Sequence, residues 1–204
     1  MKEDFQRIYR VLGKGPWTSD KPPKPLVNLV EKKIIKPCKA LDVGCGEGFY
    51  SKYLVENGFD VIGIDFSEIG INIARSNAPG VDFRVIDAAN EDLTQLGKFD
   101  FCLEWSIMHC IPPEQRSQYV ANIAKIMNPG ALYLSTSFNY QSEKHGTPGK
   151  RERTTSGGTK LWFLSLNEAI GLFNQHYKII EANDKATLGK QEKHQANYLL
   201  MQRK

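Results

Sequence analysis

No stretch of this chain approaches the roughly 20 consecutive apolar residues that a membrane span needs. The opening residues MKEDFQRIYR mix charges of both signs and lack an apolar segment, so no secretory signal is visible. Cysteine is sparse. The four present, Cys38, Cys45, Cys102 and Cys110, form no C-x-x-C pair and no zinc-site spacing, which argues against a disulfide framework or a zinc module and fits reduced thiols. Internal repeats and low-complexity tracts are missing as well, so a solenoid is not in play. The expectation is a soluble, cytoplasmic protein without a metal. A formal net charge of +4 is a mild excess, and a basic balance points to nucleic acid only where the charges cluster. Hydrophobic residues at 41% and charged residues at 25% are ordinary globular values. At 204 residues the chain suits one sizeable core, so residues 1–204 are read as a single domain with appendages.

What the chain does have is the stretch ALDVGCGEGFY, residues 40–50. Ala40 to Val43 is a short apolar run broken by one acid, and Phe49, Tyr53 and Leu54 repeat at helical spacing. A strand therefore meets a helix across a glycine-rich turn. Gly44, Gly46 and Gly48 remove most Cβ atoms from that turn, so a ligand can lie directly against backbone. The following helix is expected to aim unpaired N–H groups and the positive end of its dipole at that ligand. The dinucleotide fingerprint G-x-G-x-x-G would need glycine at position 49, where this chain has Phe49. Asp42 precedes the first glycine by two, and the pattern is D-x-G-x-G-x-G.

Phe5, Ile8, Tyr9 and Leu12 mark an amphipathic first helix, followed by a Gly/Pro link from Gly13 to Pro25. Trp17 lies inside this link, as a packing plug or part of a ligand lid. Leu26 to Ile34 form a second helix. Asp60 to Asp65 are the second strand, and Asp65 lies about 20 residues beyond Gly44, where a carboxylate can accept from both hydroxyls of a ribose. The competing role for Asp65 is a helix N-cap, with Ser67 as the rival cap. Val81 to Ile86 form a third strand ending at Asp87-Ala88, and Lys98 to Glu104 a fourth, followed by Trp105 and His109. Pro113 opens a helix running through Tyr119, Ile123 and Met127 to Asn128-Pro129-Gly130, and Ala131 to Phe138 form a fifth strand. Residues 141–160 read as a long basic loop with Lys144, Lys150, Arg151, Arg153 and Lys160. A capping box, Ser165 to Glu168, opens a last helix, and residues 177–182 and 196–201 close the chain as an antiparallel pair.

Alternating strands and helices argue for a three-layer α/β fold with a mostly parallel sheet. The glycine turn, Asp65, Asp87 and the Asn-Pro-Gly before the fifth strand resemble, together and in order, the class I S-adenosylmethionine-dependent methyltransferases over residues 36–140. That resemblance implies a Rossmann-like seven-stranded sheet ending in an antiparallel hairpin, with S-adenosyl-L-methionine as cofactor. Its implied cofactor contacts are Asp42 near the ammonium, Gly44, Cys45 and Gly46 against the cofactor, Asp65 on the ribose, Phe66 on the adenine ring, Asp87 and Ala88 at the adenine amino group, and Glu104. Tyr9, Pro16-Trp17, Pro22, Pro25 and Leu26 are similar to the opening segment of thiol and thiopurine S-methyltransferases and the related tellurite-resistance methyltransferases. After the fourth strand the chain has Glu104-Trp105-Ser106-Ile107 and departs from the amino methyltransferases of DNA. The implied reaction is methylation of a small molecule, a thiol or other soft nucleophile ahead of RNA or protein, with a silent cofactor-binding module as a further possibility. His109 is the best-placed base, or else an imidazole packed at a loop. Trp17 and Trp105 are expected to wall the acceptor pocket or to belong to the core, with residues 1–24 as a lid and the basic loop nearby.

Overall fold

A computed structural model describes residues 2–141, 150–155, 157–188 and 194–204. Among these residues nine strands and six α-helices follow in chain order. They are α1 (Lys2–Leu12), α2 (Lys24–Glu31), β1 (Lys39–Val43), α3 (Phe49–Glu56), β2 (Asp60–Asp65), α4 (Glu68–Asn77), β3 (Asp82–Val85), β4 (Phe99–Trp105), α5 (Arg116–Ile126), β5 (Met127–Phe138), β6 (Glu152–Thr154), β7 (Lys160–Trp162), α6 (Leu166–Phe173), β8 (Tyr177–Leu188) and β9 (His194–Arg203). Seven strands form one sheet in the order β3-β2-β1-β4-β5-β9-β8. The first five pair in parallel, while β9 runs antiparallel to both β5 and β8.

Both faces of the sheet are covered, which is why its central strands read as near-continuous apolar runs. On one face Leu26 and Leu29 of α2 and Leu54 of α3 pack against Ala40, Phe101 and Leu103. Beside them Ile71 and Ala74 of α4 close on Phe83. On the other face Tyr119, Ile123 and Phe173, from α5 and α6, meet Leu41, Cys102 and Tyr133. Because side chains alternate along a strand, Leu103 and Glu104 of β4 face opposite layers. Strand order reverses between β1 and β4, and in such sheets a ligand sits outside the carboxyl ends of the strands at that reversal.

Two expectations need correcting. The helix read through Met127 ends at Ile126, and Asn128-Pro129-Gly130 lie within β5 as a bulge, where pairing jumps from Phe99↔Met127 to Phe101↔Leu132. The long basic loop holds a short antiparallel hairpin, β6–β7. Residues 142–149, with Lys144, lie outside the described residues. The expected capping box is present: Ser165 Oγ accepts from Glu168 N at 3.2 Å and Glu168 Oε2 from Ser165 N at 2.7 Å.

Candidate cofactor and acceptor site

The glycine turn joins β1 to α3 at the sheet reversal. Gly44 has φ +67°, and a Cβ there would lie 2.2 Å from Ile107 Cδ1, so backbone and space both demand glycine. At Gly46, φ is +52° and the Tyr9 hydroxyl stands 3.3 Å from where a Cβ would be. Most of the turn's amides are spent within the protein. Gly44 N and Cys45 N donate to Ile64 O at 2.7 and 3.0 Å, Gly48 N to Cys45 O at 2.9 Å, and Gly46 N to Asp65 Oδ2 at 3.0 Å. These four amides are thus already paired, whereas the unpaired N–H groups expected of the following helix belong to α3.

Asp42 is buried beneath the turn, where its Oδ2 accepts from Ser51 Oγ at 2.6 Å, and burial pushes its carboxyl up to about 7. Through Ser51 it also ties β1 to the first turn of α3. The Cys45 side chain turns toward the α4 cluster, and burial holds its thiol well above the usual range. Asp65 stays at the strand edge, half-buried, with Oδ1 accepting from Ser67 N at 2.7 Å. Ser67 caps α4 by accepting from Gly70 N at 3.1 Å, so Asp65 is not needed as that cap. Phe66 follows and meets Phe5 edge to face, centroids 5.4 Å apart. At the end of β3, Asp87 accepts from Ala89 N at 3.1 Å and Asn90 Nδ2 at 2.9 Å in a tight turn. Ala88 is buried and its carbonyl accepts from Asn122 Nδ2 at 3.2 Å.

Glu104 departs from expectation. It is fully buried, with Oε1 accepting from Met108 N at 3.0 Å and Oε2 from Tyr133 Oη at 2.9 Å and Ser135 Oγ at 3.1 Å. Burial pushes its carboxyl up to about 7. The side chain faces the α5/α6 layer and acts on the cofactor edge only through the loop it hooks. In that loop Ser106 is held at φ +69°, a strained conformation for a non-glycine residue, by donating its amide to Thr136 O at 3.1 Å. His109 is 3% exposed and stacks on Phe138 at 4.1 Å. Its Nδ1 accepts from Phe138 N at 3.2 Å, so a neutral ring carries its proton on Nε2 and has spent its one in-plane lone pair. The expectation of a catalytic base at His109 is corrected on that geometry. Trp105 packs edge-on to Tyr50 within the α2/α3 layer, whereas Trp17 lies half-exposed between Phe5 and Tyr9; the two belong to separate aromatic clusters.

The N-terminal segment lies across this edge. Phe5 touches Phe66, Tyr9 overlies Gly46, and the buried Glu47 Oε1 accepts from Gly15 N and Thr18 Oγ1, both at 2.6 Å. Arg7 reaches Gly157 O at 2.6 Å, tying α1 to the turn of the β6–β7 hairpin. Tyr9, Glu47, Ser106 and Ile107 were absent from the expected site. The apolar face of α1 and the resemblance of the opening segment hinted at the first of them.

A family model described as a methyltransferase domain matches residues 40–130. Over 100% of this chain and 93% of the other, the structure superposes at a TM-score of 0.80 and 22% identity on a protein solved in work on conversion of a disulfide bond into a thioacetal group during echinomycin biosynthesis. The fold is that of the class I methyltransferases. Another matching structure is the Burkholderia thailandensis 1,6-didemethyltoxoflavin-N1-methyltransferase, solved with 1,6-didemethyltoxoflavin and S-adenosylhomocysteine. It matches at a TM-score of 0.77 and 18% identity over 99% of this chain and 86% of that one. Among curated proteins, a 2-heptyl-1-hydroxyquinolin-4(1H)-one methyltransferase of Mycobacteroides abscessus is 27% identical over 150 residues, 68% of this chain. This chain spans 65% of that relative. Among the described residues no helix is long and apolar enough to cross a membrane, and no group of three or more His, Cys, Asp or Glu is placed to hold a metal.

Proposed function

We propose that the chain is an S-adenosyl-L-methionine-dependent methyltransferase acting on a small molecule, with sulfur or a similarly soft nucleophile as acceptor. The observation that carries the reading is Asp65 at the carboxyl edge of β2, held against Gly46 of the glycine turn. Its Oδ2 accepts from Gly46 N and its Oδ1 from Ser67 N, which fixes the carboxylate beside the turn, and a carboxylate offers about four lone-pair sites in all. The surroundings suit a cationic ligand, since Asp42, Glu47 and Asp65 gather at this edge of a chain whose net charge is positive. S-adenosylmethionine supplies a methyl group on a sulfonium, open to in-line displacement.

In this reading Gly44, Cys45 and Gly46 lie along the cofactor through their backbone, Asp65 orients the ribose, Phe66 covers the adenine, and Asp87 with Ala88 borders its amino group. Residues 1–24 act as a lid, with Trp17 on the lid and Trp105 at the exit of β4 bordering the acceptor space. Well-oriented reactants can supply roughly 7 to 11 kcal/mol, so positioning is the main task of such a site. With the His109 lone pair spent, the acceptor is one that ionises by itself. A thiol of pKa about 8.5 is a few per cent thiolate at neutral pH and intrinsically nucleophilic. The sulfur chemistry studied with the first structural relative supports that class, and the similarity of Tyr9, Pro16 and Trp17 to thiol and thiopurine S-methyltransferases points the same way. A nucleic acid acceptor is disfavoured by ion pairing around the basic stretch, where Arg151 pairs with Glu168, and Lys160 with Glu152 at 2.9 Å.

The test is transfer of a radiolabelled methyl group across a panel of thiols, amines, hydroxy compounds and RNA. Labelled small thiols, at a rate rising toward the thiol pKa, are expected. Cofactor binding with no transfer to any member would overturn the enzymatic reading, and transfer confined to RNA or amines would overturn the acceptor class.

A further inference from the structure

Resting on that reading, we infer that Tyr9 is a cofactor-binding residue, its phenol donating a hydrogen bond to the amino-acid carboxylate of the cofactor. The placement comes first. Tyr9 is carried by α1, yet it is 3% exposed and its hydroxyl overlies Gly46, with Asp65 and Glu47 nearby.

The second argument is a shortage of donors. A bound carboxylate needs hydrogen-bond donors, and in a glycine turn these would ordinarily be backbone amides. Here the amides of Gly44, Cys45, Gly46 and Gly48 already serve Ile64, Asp65 and Cys45. The acids gathered at this edge accept hydrogen bonds and repel a carboxylate. A neutral phenol above Gly46 adds a donor where four of the turn's amides are already committed.

The third argument is that the phenolic proton is unspent. The phenol donates to no described residue. Burial, then the charges of Asp65 and Glu47, push its ionisation far up, so it keeps that proton at any working pH. The ring is held from several sides. Trp17 packs against it edge-on with centroids 5.8 Å apart, and the Glu47 carboxylate fastens the following segment at Gly15 and Thr18. The lid thereby brings a ligand contact with it.

Tyr9→Phe keeps the ring and removes only the hydroxyl. Its affinity is measured by calorimetry for S-adenosylhomocysteine and for 5′-methylthioadenosine, which lacks the amino-acid portion, beside wild type and Asp65→Ala. The expected result is a loss of about ten-fold or more for S-adenosylhomocysteine, as for a hydrogen bond to a charged group, with methylthioadenosine affinity unchanged. Equal losses for both ligands would mean a packing role and overturn the inference. So would unchanged S-adenosylhomocysteine affinity in Tyr9→Phe when wild type binds and Asp65→Ala is weakened. Wild type that binds neither ligand would instead bring down the underlying cofactor reading.

Discussion

Replacing Gly44 by alanine drives a methyl group into the wall of the candidate site. The new Cβ would stand 2.2 Å from Ile107 Cδ1 and 2.6 Å from its Cγ1, on a backbone at φ +67°. Left-handed backbone costs a residue with a Cβ about 1 to 2 kcal/mol, and overpacking typically costs about 1 to 3 kcal/mol more. Ile107 yields poorly, because a β-branched side chain is stiff at χ1 and its loop is hooked by Glu104 at the Met108 amide. Gly44→Ala should therefore lose about 2 to 5 kcal/mol of stability in urea unfolding. In Gly44→Ala/Ile107→Ala the steric part should disappear while the backbone part remains, giving a coupling of about 1 to 3 kcal/mol between the two sites. Additivity within about 0.5 kcal/mol would refute the claim that the β4 loop lies on the glycine turn.

The buried Glu104 makes a pH prediction. Its carboxyl is raised to about 7, above its unfolded value, so the folded state keeps a proton that the unfolded state releases, and stability from this group falls as pH rises from about 4.5 to 7. Glu104→Gln should flatten that fall, by up to the order of 3 kcal/mol, in thermal melts at pH 5 and pH 8; an unchanged slope counts against it. Glu47→Gln weakens the acceptor for Gly15 N and Thr18 Oγ1, and should make residues 13–18 more open to limited proteolysis than in wild type. Equal cleavage rates would contradict the latch. Transfer should persist at high salt and change little in Arg151→Ala/Arg153→Ala. RNA binding with a log-log salt slope of about −0.7 per phosphate, lost in that variant, would reverse the choice of acceptor.

Apolar periodicity was enough to place the parallel strands, the helices on both faces and the closing hairpin, because each of those elements buries a regular face. The β6–β7 hairpin escaped notice because Glu152, Arg153 and Thr154 are all exposed and no alternation marks them. Parity could have placed Glu104: it alternates with Leu103 and Trp105, which belong to the α2/α3 layer, so its side chain had to point the other way. The bulge at Asn128-Pro129-Gly130 reads locally as a helix stop, and only strand pairing shows that it lies inside β5. Tyr9 meets the turn, and Glu47 of the turn meets Gly15 and Thr18, through contacts between segments distant in sequence, which no local pattern records. His109 was legible as a candidate base by residue type, and its stacking on Phe138 depends on the return of β5 beside it.

Titration of the folded chain with S-adenosylhomocysteine in a calorimeter, wild type beside Asp65→Ala, tests the cofactor site most directly. Wild type is expected to bind without added metal, and Asp65→Ala to bind about 1.5 to 3 kcal/mol more weakly, as for lost hydrogen bonds to a charged group. Unchanged affinity in a folded Asp65→Ala protein, or no binding by wild type, would contradict the assignment.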